Sequence, residues 1–256
     1  MDLRSHKSVS RIMRSALLSL VFLSAVAGGT LLSQMGGTAQ SGALQEKLAA
    51  LKASTAENQQ KLHQYTWTET TQLNLNGEPK PPKVSTCSYG PDGQVQKVPV
   101  GGPTNSAQAT QSGGGRGGAL RERIVEKKTA EMKDYMQQVQ GVIALYVPPN
   151  PQKMQQAIEA KKVSLSREAG GLVDIVFKDY ALPGDSMTIG FDTAAKKMRT
   201  LNVQSYLDSP QDGVTLAAQF ASLPDGTNYP QQTTLGAQAK NLTVVTTNSN
   251  YRKIGQ

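Results

Sequence analysis

Carboxylates are the richest chemical resource in this chain, because cleaving a glycosidic bond needs only two of them in the right places. The candidates are Asp174, Asp179, Asp185 and Asp192. Most of them fall at predicted turns, where aspartate is favoured because its oxygens accept hydrogen bonds from nearby backbone N–H groups. Asp174 instead interrupts an apolar strand, and alternation sets it opposite Val173, Ile175 and Phe177, on the solvated side. Aromatic residues are 5% of the chain, few for a sugar platform, so these aspartates read as structural. His6 falls in an N-terminal leader, which leaves His63 as the single histidine beyond it. One histidine removes most zinc sites, His-paired nucleophiles and phosphorelay chemistry. His63 stands at a predicted helix end, where interaction with the helix dipole accounts for it. There is no Gly-x-Ser-x-Gly elbow and no Ser-x-x-Lys at a helix start. Cys87 is the only cysteine, so no internal disulfide can form. Its segment, 83–89, alternates as a strand does, and Cys87 shares a face with Ser85 and Tyr89, so it reads as a small buried hydrophobe. The glycine run Gly113–Gly118 lacks the Lys-Ser/Thr of a phosphate-binding loop and follows no buried parallel strand. No catalytic, cofactor-binding or metal-ligating residue is therefore assigned, and the chain is expected not to be an enzyme.

The first 39 residues have the three regions of an export signal. Arg4, Lys7, Arg11 and Arg14 make a basic start, residues 15–27 form an uncharged apolar run, and small residues follow. They offer cleavage after Ala27 or after Ala39. The charge-free stretch extends to Ala43, long enough to raise a retained anchor, since a spanning helix needs about 20 mainly apolar residues. Gly28, Gly29, Gly36 and Gly37 dilute it and favour cleavage. No cysteine follows the apolar run to carry a lipid. The expected location is therefore periplasmic or secreted, from a bacterial cell, with no stable membrane span after cleavage. Intact mass of the exported protein should place its N-terminus near Gly28 or Gln40; a full-length species held in the inner membrane would overturn this.

The formal net charge is +8, and loss of residues 1–39 removes four cations and Asp2, leaving 23 basic against 18 acidic side chains, or +5. That charge is mild and scattered. Lys127-Lys128, Lys161-Lys162 and Lys196-Lys197 read as solvated faces, and no basic stripe with interleaved aromatics appears, so nucleic acid is not an expected partner. No residue pattern specifies an oligomeric state.

The elements that must hold these residues follow from periodicity. Residues 42–64 read as a helix, with Leu44, Leu48, Leu51 and Ala56 in a narrow apolar stripe. Residues 65–75 switch to period 2, and Asn76-Gly77 supplies a tight turn. Residues 83–89 and 94–100 continue an antiparallel meander across Gly90-Pro91-Asp92-Gly93. Residues 101–118 are low-complexity with almost no apolar side chains and read as a mobile loop. A helical insert spans 119–162. In it, Leu120, Ile124, Met132, Tyr135, Val139, Val142 and Tyr146 share one face of a helix over 119–147, interrupted by Lys128. The polar face of that helix mixes both charges, which favours packing on the protein's own sheet over a membrane surface. Pro148-Pro149-Asn150-Pro151 ends it, and Asn150 caps a second helix that runs to about Lys161. About seven short strands follow, over 163–168, 172–179, 186–192, 197–205, 214–222, 231–237 and 242–247. Asn248-Ser249-Asn250-Tyr251 reads as a close. The expected fold class is α+β: a large curled antiparallel sheet, an incomplete barrel, covered by the N-terminal helix and the inserted helical segment. Residues 40–256 are expected to form a single domain.

A leader, an N-terminal helix, a short meander opening on Tyr65-Thr66-Trp67, a helical insertion and a long meander occur here in that order. Tyr229-Pro230, Leu242-Thr243-Val244 and Asn248-Ser249-Asn250-Tyr251 close the chain. This layout resembles the periplasmic lipoprotein-carrier and sensor superfamily, the LolA-like group. The resemblance implies a half-closed barrel with helices over its concave face, enclosing an apolar cavity suited to acyl chains. It implies a binding or carrier protein for a lipid, an acyl chain or a lipidated partner. The other reading is a structural or regulatory protein-interaction module of the cell envelope with a filled core. Alternation nominates the cavity lining as Trp67, Leu73, Val173, Ile175, Phe177, Met187, Ile189, Phe191, Leu201 and Val203, with Val139, Val142 and Tyr146 from the covering helix.

Overall fold

Strict alternation makes the strands. In β1 (Tyr65–Leu75), Tyr65, Trp67 and Glu69 turn inward and are buried while their neighbours are half-exposed. Asn76 and Gly77 then adopt φ of 53° and 79°, so the chain reverses in two residues into the short strand β2 (Glu78–Pro79). A computed structural model describes residues 38–101, 116–167 and 171–255. The leader up to residue 37 and most of the glycine-rich stretch lie outside the described residues.

The remaining strands are β3 (Lys83–Tyr89), β4 (Val95–Pro99), β5 (Val163–Arg167), β6 (Leu172–Lys178), β7 (Ser186–Asp192), β8 (Lys197–Tyr206), β9 (Gly213–Ser222), β10 (Asn228–Ala237) and β11 (Leu242–Lys253). They form one antiparallel sheet of 11 strands in the order β4-β3-β1-β11-β10-β9-β8-β7-β6-β5, with β2 attached to β1. The sheet does not close, so the fold is an α+β incomplete barrel. All successive strands from β5 to β11 are neighbours. The exception to local order is the first strand pairing with the last, from Tyr65 opposite Lys253 to Leu75 opposite Leu242.

Three helices cover the inner face: α1 (Thr38–Leu62), α2 (Arg116–Ile143) and α3 (Pro151–Glu159). Helix α1 lies against β8 and β10, α2 against β9 and α3 against β6. Leu44 and Leu51 of α1 are buried as its stripe predicts, but Ala56 is exposed. The helix is held there by a polar side chain instead. Asn58 donates to the Asn228 carbonyl at 2.6 Å and accepts from the Asn228 N–H, which satisfies two backbone groups at the start of β10.

Helix α2 stops at Ile143, before the predicted end. Its last turn tightens through Leu145 N–H to Val142 C=O and Tyr146 N–H to Ile143 C=O, and Pro148 disfavours the helical region for the residue before it. Tyr135, Val139 and Ile143 are buried on the sheet, whereas Ile124 and Val125 are exposed, so the C-terminal half of the helix contributes to the core. Asn150 caps α3 as its sequence predicts, accepting from Gln152 and Lys153 N–H at 2.8 and 3.2 Å. Among the described residues, no helix is long and apolar enough to cross a membrane.

Candidate ligand-binding site

The inward set nominated by alternation divides into two groups. Val139, Tyr146, Ile175, Phe177, Met187, Ile189, Phe191, Leu201 and Val203 are buried in one apolar cluster, with Leu73 and Val142 partly buried against it, and Val173 is buried outside that cluster. Trp67 and Ile189 also face open space. That space lies at either side of α1, where the helix bridges the curved sheet without filling it.

The first cavity, about 480 Å³, lies between the C-terminal half of α1 and the strands β1, β3, β8, β9, β10 and β11. Its helical wall is Ala50, Ser54, Asn58 and Leu62; its floor includes Trp67, Glu69, Tyr89, Phe220, Thr233, Thr246, Asn248 and Tyr251. The second, about 620 Å³, lies between the N-terminal half of α1 and α3, with Leu48, Leu51, Pro151, Met154 and Ile189 among its walls. Thr55 and Met198 line both, so the two spaces adjoin beneath α1.

A break in strand register builds the aromatic end of the first cavity. Thr66 pairs with Arg252 but Thr68 with Ser249, so Asn250 and Tyr251 together stand opposite Trp67. Asn250 takes a φ of 54°, the left-handed region that asparagine tolerates, and the bulge aims Tyr251 at Trp67. The two rings stack at 5.6 Å with planes 10° apart. Tyr89 packs on Trp67 at 5.4 Å, Tyr229 on Tyr251 at 4.3 Å, and His63 stacks on Tyr89 at 4.3 Å just beyond the end of α1. Burial pushes the Tyr89 hydroxyl up to about 12 and that of Tyr251 higher still, so both stay neutral. Glu69, buried beside Trp67, is neutralised by Lys97 of β4, whose Nζ lies 2.6 and 2.8 Å from its two oxygens. Cys87, opposite Trp67 in β3, is fully buried, and burial pushes its thiol up to about 11, which suits an inert packing group.

The aspartates separate by role. Asp174 sits on the outer side of β6. Asp179 accepts from Gly184 N–H at 2.7 Å and pairs with Lys162 at 3.3 Å. Asp192 accepts from Ala194 and Ala195 N–H and holds Arg199 at 3.0 Å. Asp185 is 3% exposed and accepts from the N–H groups of Tyr180, Ala181 and Leu182 and from the Tyr146 hydroxyl. Burial first, and Asp185 next, hold the Tyr146 hydroxyl protonated far above its ordinary range. Asn58, Asn248 and Tyr251 belong to the site but escape sequence reasoning. Two are polar residues on inward faces, and the third lies in a stretch whose composition resembles a turn.

Neither a protein-family model nor a curated protein sequence matches this chain. Among solved structures, it is similar to a DUF1329 family protein from Desulfovibrio piger ATCC 29098, with 9% identity and a TM-score of 0.37 over 81% of this chain and 93% of that one.

Proposed function

We propose that this protein is a non-enzymatic binding or carrier protein of the bacterial envelope. After export it would hold the acyl chain of a lipid or lipidated partner between α1 and the sheet. One observation carries the reading: the open sheet and α1 leave two adjoining cavities with largely apolar walls, each of a size that ligand sites commonly have. Burying a chain there would gain about 0.8 kcal/mol for each methylene removed from water.

Trp67 is the only tryptophan, so its emission reports on the first cavity without ambiguity. Titration with a fluorescent fatty acid should be saturable and should transfer energy from Trp67, and organic extraction of protein purified from its host should release lipid. A folded protein that neither binds the probe nor carries lipid would sink the carrier reading and support the interaction-module reading.

A further inference from the structure

Lys196-Lys197 reads in the sequence as a solvated doublet, yet the fold sets both residues in the wall of the first cavity. Among the described residues, the charged groups of that wall are Glu57, Lys61, Glu69, Lys196 and Lys197. Both acids already have a cation. Glu57 pairs with Lys61 one helical turn later at 2.8 Å, and Glu69 is closed by Lys97 at 2.6 and 2.8 Å. Lys196 and Lys197 have no carboxylate at ion-pairing distance among the described residues. The wall of the first cavity therefore keeps a positive excess. The second cavity does not, because its charged wall residues are Lys52 and Glu159, one of each sign.

The ammonium of Lys197 has a defined place in that wall. Its Nζ donates to Ser222 Oγ at 3.2 Å, and a Cβ built on Gly226 would lie 3.5 Å from it. Gly226 itself lines the cavity, and Ser222 Oγ lies 3.4 Å from Oδ1 of Asn228, which lines it too. The acids nearest in register and in sequence are engaged elsewhere. Asp192, opposite Lys197 in β7, holds Arg199 at 3.0 Å. Asp225, beside Gly226 in the chain, accepts from the Tyr65 hydroxyl at 2.5 Å and from Thr227 N–H at 3.0 Å, and it pairs with Lys253 at 3.4 Å. An ammonium has three donors, and Ser222 takes one of them. Lys197 is half-buried, so an anion meeting it in an apolar cleft is attracted more strongly than in open water.

We propose that Lys197 is the head-group anchor of the first cavity, taking the anionic head of an amphiphile whose chain lies between α1 and the sheet. The head is a carboxylate or a phosphate, since a lysine acts as a point charge and reads charge rather than shape. Lys196, next to it in the wall, adds to the field without making the contact. This rests on the acyl-binding reading above and names the head that such a ligand carries.

The test is calorimetric titration of the purified protein at neutral pH with dodecanoate, dodecyl phosphate and dodecanol. Both anions should bind about tenfold or more tightly than the alcohol, and added salt should narrow that gap. Lys197→Gln keeps a polar side chain and removes the charge; it should erase most of the anions' advantage while changing dodecanol affinity less than about twofold. Lys197→Arg should retain the advantage, and Lys52→Gln, in the second cavity, should leave it intact. Unchanged dodecanol binding reports that each variant is folded, and circular dichroism checks it independently. Equal binding of charged and neutral probes would overturn the anchor and leave the acyl-binding reading standing. An advantage kept in Lys197→Gln but lost in Lys196→Gln would overturn the assignment to Lys197. No binding by any probe would overturn both the anchor and the acyl-binding reading.

Discussion

Asp185→Ala is expected to lower the free energy of unfolding by about 3–5 kcal/mol, since each buried backbone donor that loses its acceptor costs about 1–3 kcal/mol. The carboxylate is the common acceptor for Tyr180, Ala181 and Leu182 N–H and the Tyr146 hydroxyl. It ties the β6–β7 connection to the segment that follows α2. Alanine leaves three backbone N–H groups without this acceptor in a place largely closed to water, while the Tyr146 hydroxyl keeps Ser205 Oγ 2.8 Å away. Tyr146→Phe should cost less, about 1–2 kcal/mol, because it removes one donor and leaves Asp185 its backbone partners. Asp174→Ala, on the outer side of β6, should change stability by no more than about 0.5 kcal/mol. Urea unfolding followed by circular dichroism measures all three. An Asp185→Ala protein within 1 kcal/mol of the parent, a margin well below the roughly 3 kcal/mol expected, would show that water replaces the carboxylate.

If the protein holds an acyl chain across both cavities as proposed, Met198→Trp should weaken binding of a long chain by about a hundredfold while leaving a short one nearly unchanged. Met198 and Thr55 line both cavities, so an indole at position 198 would take up space where the two adjoin. A long chain denied the second cavity would leave some four methylenes in water, about 3 kcal/mol in all. Met198 is only partly buried, so the larger ring has room to turn, and overpacking should cost no more than about 1–3 kcal/mol of stability. Displacement titrations with hexadecanoate and octanoate measure the contrast. Equal losses for both chains would mean that the ligand occupies one cavity alone.

Much of the local structure was legible in the residues. The limits of β1, β3 and β7 coincide with the alternating segments over 65–75, 83–89 and 186–192. The Asn150 cap and the Asn76-Gly77 reversal behave as their residue types require. These features depend on side chains a few positions apart, so periodicity and turn chemistry suffice to specify them. The buried faces of β6, β7 and β8 follow from the same alternation.

The site was not legible in that way. Its floor exists because β11 inserts between β1 and β10, joining residues some 180 positions apart, and no local pattern names a partner at that distance. Asn248-Ser249-Asn250-Tyr251 reads as a chain-ending loop because asparagine tolerates a positive φ. Tertiary pairing uses that tolerance for a bulge inside β11, turning Tyr251 onto Trp67. Asn58 breaks the apolar stripe of α1 on paper, yet it docks the helix by matching the Asn228 backbone across the sheet. Residue type and spacing by themselves determined the strands, the caps and the inward faces. Which strands became neighbours, how far α1 stands off the sheet, and so whether the inward face is filled or hollow, only the tertiary structure decided, because these depend on packing between segments distant in the chain.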